Sequence, residues 1–247
     1  MQLRRTIGTV ALALGLALGQ GAAAASEKPL GVVELFTSQG CSSCPPADAF
    51  FSELVEKGEV VALAYHVDYW DYLGWQDTLA RPQNTERQYG YMRALGGRAV
   101  YTPQVIVNGR TQVNGTDRAG VEQDLAEQAG RGDGMKVAVK VTESDDSIII
   151  RAGATTEPAA EAHLVLVFFS GPQSIAISRG ENDGRTATYL NAVSDVRTAG
   201  MWHGKAAEYE LPKSEFAGKG GCVALLQSTT RDGGPGPILG AAIVRKP

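Results

Sequence analysis

Apolar runs separated by turn signals divide the chain into alternating elements. Leu30 to Thr37 is β-branched and aromatic, ends at the Ser38-Gln39-Gly40 turn and predicts a buried strand. Ala47, Phe50, Phe51, Leu54 and Val55 then recur at helical spacing and stop at Gly58, after which Val60 to Val67 predicts a second buried strand. Asp68 to Trp75 is aromatic and acidic, and Pro82 stands where it opens a polar helix running to the neighbourhood of Leu95, before Gly96-Gly97. Gln104 to Val107 and Arg110 to Asn114 flank Asn108-Gly109, the strongest short-range hairpin signal. Val121, Leu125 and Ala129 put one apolar face on a closing helix capped by Thr116 or Asp117.

Gly130 to Gly134 has a flexible composition and predicts a linker at 131–134 between a domain at 26–130 and another at 135–247. Beyond it, Lys136–Val141, Ser147–Ala152, His163–Phe169, Ser174–Ser178, Glu208–Leu211, Cys222–Gln227 and Leu239–Val244 all read as strands. Short strands with turn signals between them predict a β-sandwich. No internal repeat is visible.

The first 25 residues change the picture. Arg4-Arg5, an apolar run from Ile7 to Leu18, and Ala22 to Ala25 before Ser26 predict a secretory signal peptide over 1–25, cut after Ala25. The run is shorter than the roughly 20 apolar residues of a membrane anchor. No later stretch reaches spanning length, so the expected location is periplasmic or secreted, with no membrane span in the mature chain. Loss of Arg4 and Arg5 turns 23 basic residues into 21 against 27 acidic, a net charge of −6. That balance, without clustered Lys and Arg, argues against nucleic acid as a partner.

Cys41, Cys44 and Cys222 enter an oxidising compartment after export. Cys41-Ser42-Ser43-Cys44 follows a buried strand and opens a helix, whose unpaired N–H groups and dipole stabilise a thiolate. Cys41 would then be the attacking thiolate and Cys44 the resolving partner, acting on protein thiols or disulfides. Pro45 and Pro46 fit the first helical turn, where missing donors cost little. The other reading is a permanent disulfide that staples the helix start, which leaves a non-catalytic exported binding module. A zinc site lacks ligands, since His66, His163 and His203 are scattered and there is no second CxxC. No metal and no cofactor is expected. Cys222 begins an apolar strand and reads as a buried bystander.

Thr102-Pro103 precedes a strand, where proline is tolerated mainly at the first residue or on an edge. At this point the order of elements resembles the thioredoxin superfamily. By that resemblance Thr102-Pro103 is cis and lies beside the CxxC, Pro103 joins Cys41 and Cys44 in the site, and the Thr102 backbone offers substrate a strand-like edge. The Ser42-Ser43 dipeptide, and the absence of a Trp directly before Cys41, depart from ordinary members. Phe36 to Asp48, His66 to Trp75 and Tyr101 to Gln104, with Arg179-Gly180-Glu181-Asn182 and Tyr189-Leu190-Asn191 further on, are similar to a narrower family of secreted bacterial thioredoxin-like proteins of unknown function.

His66 and Asp68 lie just after the second strand, as do Tyr69, Trp70, Tyr72 and Trp75. Either His66 or Asp68 handles a proton for Cys44 while Trp70 and Trp75 wall a substrate site, or the segment is an aromatic-capped loop that merely packs. Arg179, Glu181 and Asn182 fit a binding patch or a polar cluster equally. The expectation is an α/β thioredoxin-like domain followed by a smaller all-β sandwich-like domain, acting as a periplasmic thiol–disulfide oxidoreductase.

Overall fold

The computed structural model describes residues 28–157 and 161–245, so the leader expected at 1–25 lies outside the described residues. β1 (Val32–Thr37), β2 (Val61–His66), β3 (Gln104–Val107) and β4 (Thr111–Asn114) form a sheet in the order β2-β1-β3-β4. β1 and β2 are parallel and the other pairings antiparallel. Parallel neighbours need a crossover, and α1 (Pro45–Lys57) supplies it. α2 (Pro82–Ala94) leads into β3, and α3 (Arg118–Gly130), capped by the Asp117 carboxylate, follows β4. Val33 and Leu35 of β1 face a core closed by Phe50, Leu54, Val121 and Leu125 of α1 and α3, while Val32 and Phe36 face the opposite side.

The chain continues through β5 (Val139–Glu143), β6 (Ser147–Ala152), β7 (Ala162–Phe169), β8 (Gln173–Ala176), β9 (Thr186–Tyr189), β10 (Val193–Trp202), β11 (Ala207–Pro212), β12 (Gly221–Thr229) and β13 (Pro235–Arg245). These strands make sheets in the orders β10-β7-β12-β13, β11-β6-β5 and β8-β9.

This architecture corrects the expected thioredoxin-like domain followed by a smaller all-β sandwich. Among the described residues the protein is mostly β, 39% strand and 21% helix, with three α-helices and four sheets. Nine of the thirteen strands among the described residues lie in the part expected to be smaller. The physical reason lies in β7 and β12, which are buried on both faces. Leu164, Leu166, Phe168, Cys222 and Ala224 pack on Ile148 and Ile150 of β6, whereas Val165, Val167, Val223 and Leu225 join Val32, Phe36, Leu63 and Tyr65 in one continuous core. An apolar run carries no mark of which neighbour its second face meets, so a sheet covered on both sides is not legible in the pattern.

Two polar assemblies fix this junction. Glu34 of β1 is fully buried, and its carboxylate receives Arg87 Nε at 2.8 Å and the Tyr91 hydroxyl. Arg87 also donates to Gln227 of β12 at 2.9 Å, and Gln227 Nε2 returns to the Tyr91 oxygen at 2.8 Å. Buried charge is tolerable only when paired and fully hydrogen-bonded in this way. Burial alone would lower the Arg87 pKa, but the charge of Glu34 holds it above its ordinary value. In the β3–β4 turn, Asn108 and Gly109 take positive φ of 50° and 65°. Asn108 Oδ1 accepts from Val32 N–H at 2.7 Å and its carbonyl from Ile238 N–H of β13 at 2.8 Å. A Cβ on Gly109 would collide with the Gly236 carbonyl oxygen.

Candidate functional site

β1 ends at Thr37, and the next seven residues turn the chain into α1. Cys44 is the N-cap of that helix, and Cys41 lies one turn before it. The two are joined as a disulfide with Cα atoms 5.4 Å apart. Both are buried, at 1% and 0% exposure, while Ser42 and Ser43 between them face solvent. The Ser43 hydroxyl lies 3.4 Å from Cys41 Sγ and 3.5 Å from the Thr102 carbonyl oxygen. The Thr102–Pro103 peptide is cis. Pro103 is held at the start of β3, where its carbonyl accepts from Gly115 N–H at 3.0 Å.

The aromatic segment bears on the same place through polar contacts. Trp70 Nε1 donates to Thr102 Oγ1 at 2.7 Å, and Trp75 Nε1 donates to Gln39 Oε1 at 2.8 Å. Cys41, Cys44, Thr102, Pro103, Trp70 and Trp75 are thereby gathered at one end of the β2-β1-β3-β4 sheet. Asp68 is not part of the gathering: its carboxylate accepts from Thr85 Oγ1 at 2.7 Å and so serves the start of α2. Arg179 and Glu181 are exposed, but Asn182 is buried, and its Nδ2 donates to the carbonyls of Gln39 and Cys41, each at 2.9 Å.

His66 ends β2 with no exposed surface. Its Nδ1 lies 2.8 Å from Asp77 Oδ2, which also accepts Gln39 N–H at 2.8 Å. Nε2 is buried and has no hydrogen-bond partner among the described residues, and the Tyr189 ring stands edge-on to the imidazole at 4.7 Å. Burial alone would raise the Asp77 pKa, yet His66 and the N–H donors of Gln39 and Leu79 hold it below the usual carboxylate value.

Sequence reasoning assigned no role to Asp48. It sits four residues after Cys44, so the two share one face of the helix start. Its Oδ1 accepts from Thr37 Oγ1 at 2.7 Å. Burial pushes its carboxyl up to about 6, against the opposing pull of the Thr37 hydroxyl and His66. A carboxyl that changes charge near neutrality, one turn below a cystine, can give or take a proton there. The Cys44-to-Asp48 spacing was the readable signal, whereas Asp77, eleven residues from His66, left none. Cys222 is a free, buried thiol that burial pushes up to about 12, which leaves it protonated and inert.

Among the described residues, no group of three or more His, Cys, Asp or Glu converges as a metal would require, and no helix is long and apolar enough to cross a membrane.

A family described as a protein of unknown function (DUF1223) matches residues 32–227, and the chain belongs to it. An X-ray crystal structure of a protein from Agrobacterium tumefaciens is 46% identical, with a TM-score of 0.82 over 90% of this chain and 96% of that one. HBP35 of Porphyromonas gingivalis is similar in fold alone, at 14% identity and a TM-score of 0.61 over 90% of this chain and 76% of that one. No curated protein matches. The likeness seen in the sequence motifs therefore holds at the level of a family of unknown function.

Proposed function

We propose, taking membership of that family as the premise, that the protein is an exported thiol–disulfide oxidoreductase whose working pair is Cys41 and Cys44. The observation that carries this reading is the placement of the cystine at the start of α1 with the ionisable Asp48 one turn below Cys44. A helix start favours a thiolate, and the carboxyl supplies the proton that disulfide exchange must move.

In the oxidising direction a substrate thiolate attacks Cys41 Sγ. The Sγ–Sγ bond breaks, Cys44 leaves as thiolate and takes the proton of Asp48. A second substrate thiolate then attacks the mixed disulfide and expels the Cys41 thiolate, which takes up a proton. Two electrons pass from the substrate dithiol to the protein, and the substrate becomes a disulfide. The reverse sequence reduces a substrate disulfide, and the potential of the partner decides the direction. Trp70 positions Thr102 beside this chemistry through its 2.7 Å hydrogen bond.

The low exposure of both cysteines favours a second reading, in which the disulfide staples the start of α1 and the protein is a non-catalytic binding module. Trapping separates the two. On the redox reading, a Cys44→Ser variant expressed with its leader accumulates mixed disulfides through Cys41, and a Cys41→Ser variant accumulates none. If neither variant captures a thiol protein, the staple stands. Appearance of the protein in the periplasmic or secreted fraction, without residues 1–25, tests the export that both readings require.

A further inference from the structure

A cleft of about 440 Å³ lies between α1 and β9, next to the cystine. It is lined by Pro45, Asp48 and Ser52 on the helix side and by the five consecutive residues Arg185 to Tyr189 on the other. Successive residues of a strand point to opposite faces, so a cleft that touches all five runs along the strand's edge. β8 occupies the other edge: Ile177 N–H donates to the Arg185 carbonyl at 2.8 Å, and the same register continues through Ile175↔Ala187 and Gln173↔Tyr189. Bonded pairs alternate along an antiparallel ladder. Ala187 and Tyr189 therefore turn their backbone groups to β8, and Thr186 and Thr188 turn theirs outward. Among the described residues β9 pairs only with β8, and both threonines are exposed.

The cleft also has a charge polarity. Asp48 is its one acidic lining residue, and its Oδ2 has no hydrogen-bond partner among the described residues. Asp48 accepts from Thr37, which pairs in register with His66, and the His66 ring lies 4.7 Å from that of Tyr189, so Asp48 stands towards that end of the strand. Arg185 lies four residues away, about 13 Å along β9.

We propose that this cleft docks an extended polypeptide segment, added as a strand to the free edge of β9, with a basic side chain towards Asp48 and an acidic one towards Arg185. The outward N–H and C=O groups of Thr186 and Thr188 supply the backbone ladder, and the two charges set the segment's placement. Pro45 directly follows Cys44, so a docked segment lies beside the cystine. Binding needs no chemistry there and stands apart from the redox reading.

The test uses the oxidised protein and the cysteine-free peptide acetyl-Lys-Val-Thr-Val-Glu-amide, followed by backbone amide NMR and hydrogen exchange. The Thr186 and Thr188 amides shift on titration, and their exchange slows at least about tenfold at saturation. A peptide with Glu at both ends binds several-fold more weakly. Thr188→Pro removes an outward donor that the β8 ladder does not use, a substitution an edge strand tolerates, and weakens binding about tenfold. Thr188→Val, which keeps the N–H, binds as wild type. Unmoved Thr186 and Thr188 amides at millimolar peptide, or equal binding by Thr188→Pro, overturn the proposal. Unchanged binding by the Cys41→Ser/Cys44→Ser variant keeps this result separate from the fate of the redox reading.

Discussion

Asn182, in the turn between β8 and β9, donates both amide hydrogens to the backbone around Cys41, one to the Gln39 carbonyl and one to that of Cys41, each at 2.9 Å. A side chain from the later half of the chain thus holds the loop that delivers the cystine to α1. Gly180 sits against Trp75 in the same turn, with the Trp75 Cβ 3.2 Å from where its own Cβ would stand.

Asn182→Ala leaves two carbonyls without their donor and is expected to cost about 1–3 kcal/mol in denaturant unfolding. The same variant frees the cystine loop, so reduction by dithiothreitol proceeds several-fold faster than in wild type. Unfolding curves and thiol release in one buffer check both effects.

Asp48 gives a pH signature. Its folded carboxyl titrates at about 6 against an ordinary value of 3.8. The folded state therefore binds its proton more tightly than the unfolded chain. The associated stability is fully present below pH 4 and is lost as pH rises to 6 and beyond. Asp48→Asn removes that loss and is expected to stabilise the protein relative to wild type by about 1–3 kcal/mol at pH 8, with the gap closing towards pH 4. Unfolding followed between pH 4 and 8 measures it, and on the redox reading the same substitution flattens the pH dependence of disulfide exchange above pH 6.

Arg87 is the counter-charge to the buried Glu34. Arg87→Met strands that carboxylate and is expected to cost about 3–5 kcal/mol. Adding Glu34→Gln recovers part of the loss, because the stranded charge is then gone. A double-mutant cycle in urea reads the coupling.

Cys222 is expected to stay unmodified by a maleimide in the native protein and to react only on unfolding, as its burial and raised pKa require. Mass spectrometry before and after guanidinium addition shows this directly.

The sequence carried local structure well where pattern and punctuation agreed. Asn108-Gly109 placed the β3–β4 hairpin, Ser147–Ala152 marked β6 to the residue, and Pro82 opened α2. β10 was missed because its ladder to β7 shifts register twice, between Val193 and Asp195 and between Thr198 and Gly200, which breaks the two-residue period. β9 was missed because Thr186–Tyr189 holds a single strongly buried residue, Tyr189. The pairing of halves was illegible for a different reason. Val165 and Leu166 of β7 are both apolar whichever neighbour each faces, so a strand buried on two sides looks like one buried on one. At the site, the cysteines and Thr102-Pro103 announce themselves locally. The Asp77 bond to His66 and the Asn182 bonds to Gln39 and Cys41 join residues far apart in sequence and leave no local mark.

The reduction potential of the Cys41–Cys44 pair, from thiol quantification in defined glutathione and dithiothreitol buffers, tests the redox reading most directly. The proposed oxidoreductase requires a value above about −250 mV, the range of labile, exchanging disulfides. A value below about −300 mV would contradict it and mark the pair as a structural staple.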